Sequence, residues 1–144
     1  MPTEQVSKFR IATYGVLVRA GKVLLTETRV PHGMIINFPG GGLELGEAPV
    51  EAVKREFDEE TGLSIRVVEL LYATEGFFQN PHYPNEQLVH LFYRVEETGG
   101  ELLPTGNGDD VAALHWFAPD ELPLDRIEPI DRVFTASEAF RRLF

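Results

Sequence analysis

The sequence predicts an α/β protein in which a mixed β-sheet lies between helices. Three observations carry this prediction. Apolar segments typical of strands occur both before and after one central stretch, that stretch has helical spacing, and a second segment with helical spacing ends the chain. Strands arranged around a helix in this order form a sheet that the helices cover. The 144 residues contain no internal repeat, linker or low-complexity segment, so we expect one domain over residues 1–144.

The N-terminal part is expected to form a hairpin followed by a loop. In chain order the predicted elements are a strand at 9–19, a tight turn at 20–21, a strand at 22–28 and a loop at 29–36. The loop, RVPHGMII, carries Arg29 and His32, which are candidates for contacting a phosphate or a sugar. A solvated loop without function is the alternative interpretation of both side chains.

The central stretch, residues 39–63, joins three glycines to a charged helix. Pro49 suits the first helical position and Gly62 suits the residue after the last turn. At about 100° per residue, the predicted buried stripe of this helix consists of Val50, Val53 and Phe57. The helix therefore has an apolar face, and its acidic residues can be sorted by their position relative to that face.

Two acidic residues of this helix, Glu56 and Glu60, lie four apart on one edge of the apolar stripe, with Glu59 just beyond them, whereas Asp58 falls on the solvated side. Like charges at this spacing destabilise a helix unless a cation lies between them. Oxygen ligands favour a hard ion, Mg²⁺ or alternatively Mn²⁺. Glycine allows a close backbone approach, so the Gly40 carbonyl is a candidate further ligand.

The C-terminal part is expected to supply the remaining strands and a last helix. The predicted elements are one strand or a bent pair at 64–78, a loop at 79–86, a strand at 87–95, a turn at 96–100, a short edge strand at 102–104, a loop at 105–110 and a strand at 111–118. A last helix is expected to be capped by Asp131, and its apolar residues keep helical spacing: Val133, Ala136, Phe140 and Leu143. Phe78 and Tyr83 are candidates for stacking on a nucleobase. Their alternative assignment is to the core and to a surface rim.

Composition excludes several classes of protein. The formal net charge of −10 argues against binding to duplex nucleic acid, which requires a basic surface. No apolar run is long enough to span a membrane, and the N-terminus lacks the apolar segment of a signal peptide. Cysteine is absent, which excludes disulfides and thiolate chemistry. We therefore expect a cytoplasmic protein with a small-molecule partner; a homodimer is compatible with the sequence.

The central stretch resembles a known family signature. Gly41, Glu47 and the run Arg55-Glu56-Phe57-x-Glu59-Glu60-x-Gly62-Leu63 match the Nudix box at every defined position. The resemblance implies the α/β/α Nudix sandwich and metal-dependent hydrolysis of a diphosphate that joins a nucleoside to another group X. It also implies a metal site formed by Glu56, Glu59, Glu60 and the Gly40 carbonyl.

The resemblance also implies individual roles. Glu56 and Glu60 would be the principal metal ligands, while Glu59 would bind a second ion or accept the proton of the attacking water. Arg55 and Glu47 would form a supporting pair that holds a carboxylate in place, or alternatively a surface ion pair of little energetic weight. Gly41 would lie against the substrate. Three loop acids are other candidates for the general base: Glu75, Asp109 and Asp110.

The group X is left open by the sequence. Nucleoside triphosphates, including oxidised ones, and nucleotide sugars are both compatible with it, and neither a coenzyme A signature nor a clear ADP-ribose signature is present. A catalytically weak nucleotide-binding or regulatory module of the same fold is the main alternative to an enzyme. The isopentenyl diphosphate isomerase branch uses a cysteine and is therefore disfavoured.

Overall fold

Two four-stranded sheets and three helices make up residues 5–144, which are the residues that the computed structural model describes. The strands are β1 Lys8–Val16, β2 Val18–Arg19, β3 Lys22–Val30, β4 Gly33–Asn37, β5 Gly40–Gly42, β6 Leu63–Ala73, β7 Glu86–Gly100 and β8 Val111–Phe117. The helices are α1 Pro49–Thr61, α2 Pro129–Thr135 and α3 Glu138–Arg141, and a short 3-10 helix spans Leu124–Arg126.

The first sheet is mixed, as the sequence predicts. Its strand order is β5-β1-β7-β6, in which β1 and β7 run parallel and the two outer pairs run antiparallel. The second sheet is built around β3. Strand β8 pairs with one side of β3, while β2 and β4 pair with opposite ends of its other side. The sheets flanked by helices confirm the α/β class.

Helices cover both faces of the first sheet. Successive residues of a strand point to opposite faces, so neighbouring residues of β1 and β7 contact different helices. On one face, Gly15 leaves room for α1, since a Cβ at this position would lie 2.7 Å from the Phe57 ring. On the other face, the rings of Phe92 and Phe134 stack with their centroids 4.1 Å apart, and Phe38 packs edge-on against both. This aromatic cluster fastens α2 to β7.

Two expectations in the loops are wrong. Residues 29–36 form a hairpin, because β3 continues to Val30 and pairs with β4 from Thr26–Asn37 to Val30–Gly33. Residues 96–100 are the end of β7, where pairing with β6 continues to Leu63–Gly100. Both segments contain polar and turn-forming residues, which favour a loop in the sequence. Pairing with β4 and β6 nevertheless keeps their backbone in strand conformation.

The predicted edge strand at 102–104 is also absent from the described residues, where this segment has no strand structure. Its backbone is bound instead to the end of α1. The Leu103 N–H donates to the Thr61 carbonyl at 2.9 Å, and the Glu101 N–H donates to the Gly62 carbonyl at 3.2 Å. The segment therefore closes the helix terminus and does not extend a sheet.

The helices differ from prediction in detail. The buried stripe of α1 uses Ala52, Val53 and Phe57, whereas Val50 is 40% exposed. The expected terminal helix is two helices, α2 and α3, and α3 begins after Ser137, whose hydroxyl accepts the Phe140 N–H. Asp131 does not cap a helix: it is buried within α2, where its carboxylate pairs with a histidine of β7.

Candidate active site

Strand β5 brings three glycines against the C-terminal half of α1. The Gly40 N–H donates to Oε1 of Glu60 at 3.1 Å. A Cβ at Gly40 would lie 2.0 Å from the Thr13 carbonyl oxygen, and the residue has a φ of 152°, so glycine is required there. The missing side chains let the helix carboxylates lie directly on the strand backbone.

Glu56 and Glu60 form a pair in this position. Their carboxyl groups are in hydrogen-bond contact, and Glu60 is only 5% exposed. Glu56 lies over Gly41, where a Cβ would be 2.9 Å from its Oε1. The rotational analysis of the sequence therefore identified two side chains that the fold brings together.

Burial makes the charged form of this pair unfavourable. It raises the pKa of Glu60 to about 9, while the hydrogen bond from Gly40 opposes the shift and the Glu56 and Asp110 carboxylates add to it. Burial also raises the pKa of Glu56, and the positive charge of Arg55 opposes this rise. Two carboxylates can both ionise here at low cost only when a cation is bound between them.

Arg55 connects the pair to the loop that precedes α1. Its Nε and Nη2 donate to the two carboxylate oxygens of Glu47 at 2.7 and 3.0 Å, while its Nη1 donates to Glu56 at 3.2 Å. Hydrogen bonding to Glu47 raises the pKa of the Arg55 guanidinium, and the same bond lowers the pKa of Glu47. The bidentate contact fixes the plane of the guanidinium and thereby the position of Glu56.

The donor set fits a hard cation, although the side chains do not form a complete cage. Glu56 and Glu60 supply carboxylate oxygens from one helix face. Glu59 is 56% exposed in its side chain and lies 3.5 Å from Arg55 Nη1. Across residues 5–144 no group of three His, Asp or Glu side chains is spaced to hold a metal ion, so further ligands would come from Gly40, water or the substrate.

The predicted substrate residues fall into two groups. Arg29 and Tyr83 line a cavity of about 200 Å³ between the sheets. Arg29 also donates from Nη1 to the Asp109 carbonyl, which ties β3 to the loop before β8. His32 lies exposed in the β3–β4 turn, and Phe78 is bound through its carbonyl to the Leu88 N–H at 2.8 Å. These last two lie outside the cavity lining.

The three loop acids are also separated by the fold. Asp110 lies near enough to Glu60 to raise its pKa, and it accepts a hydrogen bond from Asn107 at 3.1 Å. Asp109 and Asp110 are both exposed, and Glu75 is exposed two residues beyond the end of β6, near Tyr72. Of the three, Asp110 is therefore the one that faces the carboxylate pair.

Sequence reasoning missed the polar wall of the cavity. Its principal members are Arg10, Tyr14, Asn37, His90 and Asp131. Four of them lie within predicted strands or at an expected helix cap, and Asn37 follows the predicted loop at 29–36. The available signal was a histidine in the otherwise apolar run QLVHLF, where an inward-facing polar residue requires a buried partner.

Comparisons with known proteins agree with the geometry. The NUDIX domain family model matches residues 8–137. A putative 8-oxo-dGTP diphosphatase of Bacillus subtilis is 36% identical over 110 residues, which cover 76% of this chain and 66% of that protein. An ADP-ribose pyrophosphatase of Methanocaldococcus jannaschii is 33% identical over 115 residues, which cover 78% of this chain and 64% of that protein. The matches thus span just under two thirds of these relatives.

The fold is also similar to that of a solved structure. The crystal structure of a MutT NUDIX hydrolase from Burkholderia pseudomallei matches with a TM-score of 0.74 and 26% sequence identity, covering 96% of this chain and all of that one. No helix in residues 5–144 is long and apolar enough to cross a membrane. Since the family model covers most of the sequence and the box residues lie together on β5 and α1, the chain belongs to the NUDIX domain family.

Proposed function

We propose that the chain is a metal-dependent pyrophosphatase that hydrolyses the diphosphate bond of a nucleoside diphosphate linked to a group X. The observation that carries this proposal is the buried pair of Glu56 and Glu60 on the glycine strand. The pair is electrostatically unfavourable without a cation, and it lies directly against the backbone of the glycine strand. The relatives named for hydrolysing nucleotide diphosphates support the same reaction.

The substrate is a nucleoside triphosphate, oxidised or not, or a nucleotide sugar. The relatives are named for 8-oxo-dGTP and for ADP-ribose, so both kinds of X occur among similar proteins. Mg²⁺ is the proposed ion, with Mn²⁺ as the alternative, because the ligands are all oxygens. A cytoplasmic location is part of the proposal.

A bound divalent ion would neutralise charge on the diphosphate oxygens and orient them. Glu56 and Glu60 would hold it, and Arg55, fixed by Glu47, would keep Glu56 in place. Gly40 would present its backbone to the ion. Glu59, which is exposed beside Arg55, is the proposed acceptor of the proton from the attacking water. Phosphoryl transfer depends mostly on such positioning and charge stabilisation.

The test is a panel of nucleoside triphosphates, 8-oxo-dGTP, nucleotide sugars and ADP-ribose, assayed with Mg²⁺ and with EDTA. We expect release of pyrophosphate or a nucleoside monophosphate only with Mg²⁺. Glu56→Gln should lower turnover by at least about 100-fold and leave the circular dichroism spectrum unchanged. Near-normal turnover in this variant would remove the metal-ligand assignment. Binding without turnover by the native chain would instead identify a nucleotide-binding module.

A further inference from the structure

Arg10 of β1 is a half-buried arginine that contacts no carboxylate. Its side chain lines the cavity between the two sheets. Across residues 5–144 its guanidinium forms no ion pair, and its partner is the hydroxyl of Tyr14, a residue that is itself buried. A guanidinium has five N–H donors and keeps its charge at ordinary pH, so one hydroxyl leaves most of its binding capacity unused. Arg10 is therefore available to bind an anion that enters the cavity.

The acids nearest to this guanidinium already have other partners. Glu86 and Glu56 lie within electrostatic reach of it but not in contact with it. Glu86 accepts a hydrogen bond from Asn80 Nδ2 at 2.9 Å and lies 3.6 Å from Lys8 Nζ. Glu56 accepts from Arg55 Nη1 at 3.2 Å. Neither carboxylate therefore neutralises the guanidinium by direct contact.

The acids on the cavity wall itself are paired with histidines. Asp131 lies 2.8 Å from His90 Nδ1, and Glu128 lies 2.9 Å from His82 Nε2. The second arginine of the wall, Arg29, donates to a backbone carbonyl and forms no ion pair in the described part of the chain. On a chain with a formal net charge of −10, the unpaired charges of this wall are thus positive. A local excess of positive charge of this kind attracts an anion.

Arg10 also faces the glycine strand. A Cβ at Gly42 would lie 3.7 Å from Nη2 of Arg10 and 3.9 Å from its Nε, so the absence of a side chain at Gly42 leaves the guanidinium open towards β5. Gly40, whose N–H donates to Glu60 at 3.1 Å, is two residues away on the same strand, which is roughly 7 Å. The guanidinium and the carboxylate pair therefore lie at opposite ends of β5.

We propose that Arg10 binds one phosphate of the diphosphate, while the ion held by Glu56 and Glu60 binds the other. The diphosphate would then lie along β5 with a positive charge at each end of the strand. The planar fork of the guanidinium suits two oxygens of one phosphate, and the Tyr14 hydroxyl holds that fork in place. The inference rests on the proposed function, because it names a further residue that positions the same ligand.

The test measures binding of methylene diphosphonate in Mg²⁺ by calorimetry. A carbon replaces the bridging oxygen of this ligand, so hydrolysis plays no part in the measurement. A hydrogen bond to a charged group contributes a factor of roughly 10 to 150 to affinity, so Arg10→Gln should raise the Kd at least about 10-fold. Arg10→Lys keeps the charge but not the fork, and its Kd should lie between these two values. Arg66→Gln is the matched control, because Arg66 is exposed on β6 beside Glu96, and it should bind as the native protein does.

A purely structural role of Arg10 would give a different pattern. Arg10→Met keeps an apolar stem of similar length and removes the charge, so a structural role predicts native affinity in this variant, whereas the proposal predicts the loss expected for Arg10→Gln. Tyr14→Phe removes the hydroxyl that holds the guanidinium and should weaken binding to a smaller extent. If circular dichroism shows that neither neutral variant folds, Arg10→Lys and Tyr14→Phe carry the test, because both retain the positive charge.

Native affinity in a folded neutral variant would overturn the inference, as would native affinity in both Arg10→Lys and Tyr14→Phe. Absence of binding by the native protein, or an equal loss of affinity in Arg66→Gln, would also overturn it. A protein that binds the diphosphonate through Arg10 but hydrolyses nothing in the substrate panel would contradict only the proposed function. A hydrolase whose affinity for the diphosphonate does not depend on Arg10 would contradict only this inference.

Discussion

Replacing Glu60 by glutamine should stabilise the metal-free protein. Glutamine has the same shape, and its amide oxygen can still accept the Gly40 N–H that Glu60 accepts at 3.1 Å. Its amide nitrogen can donate to Glu56, as the protonated Glu60 carboxyl does. The substitution therefore removes the ionisable group and retains both hydrogen bonds.

The magnitude follows from the cost of keeping this carboxyl protonated. The ordinary pKa of glutamate is near 4.5, and the pKa of folded Glu60 is about 9, so at pH 7 the native chain must bind a proton on folding. This costs about 1.4 kcal/mol for each of the roughly 2.5 pH units between 4.5 and 7, or about 3 kcal/mol. Glutamine avoids this cost, and the expected rise in Tm is roughly 10 °C for a chain of this size.

The pH dependence of the stability tests the direction of this effect. Because the folded pKa is raised, the stability of the native protein is fully present below pH 4.5 and is lost progressively up to about pH 9. Calorimetry in EDTA should therefore show the Tm of Glu60→Gln exceeding the native Tm at pH 7, with a smaller difference at pH 5. Asp58→Asn, on the exposed side of the same helix, is the control and should shift Tm little.

Addition of Mg²⁺ should reverse the order. A ligand that binds only the folded state raises its stability by mass action, and the native carboxylate binds the ion whereas the amide does not. A Tm of Glu60→Gln at or below the native value in EDTA at pH 7 would refute the electrostatic reasoning. Equal gains of Tm in Mg²⁺ for both proteins would refute the assignment of Glu60 as a ligand.

Three further predictions concern the surroundings of the pair. Glu47→Gln removes the bidentate support of Arg55 and should lower turnover about 10-fold with little change in KM. An unchanged kcat would show that the contact is only a surface ion pair. Gly41→Ala places a Cβ 2.9 Å from Oε1 of Glu56, so that this carboxylate must shift. We expect a folded protein by circular dichroism with weakened Mg²⁺ binding by calorimetry, and native affinity would contradict this. Glu59→Gln should lower kcat by about 100-fold and Asp110→Asn much less; the reverse order would move the general base to the loop.

The sequence predicted those parts of the fold that depend on local spacing. The α1 helix begins at Pro49 and ends at Thr61, and Gly62 follows it in the left-handed conformation, because both signals act within a few residues. The pairing of Glu56 with Glu60 could be predicted for the same reason: helical geometry alone brings residues four apart together. Val50 was misassigned because the edge of a stripe is buried only if another element reaches it.

The cavity wall could not be predicted, since its contacts join distant parts of the chain. Asp131 meets His90 across 41 residues, and Asn37 meets Thr26 only because β3 and β4 form a hairpin where a loop was expected. An acid near the start of a helix is indistinguishable in sequence from an N-cap. Only the packing of α2 on β7 turns the Asp131 carboxylate inward.

The sheet determines where both regions lie. Register pairs Tyr14 with Gly40 on one side of β1 and with Phe92 on the other, and it pairs Ala12 with His90. The distance from the glycine strand to His90 is therefore set by backbone pairing, which holds side chains more precisely than loops do. Tyr83, by contrast, lies on a loop and is 53% exposed. The polar wall of the cavity is therefore held by paired strands and the helix packed on them, whereas the rim that carries Tyr83 is held by a loop.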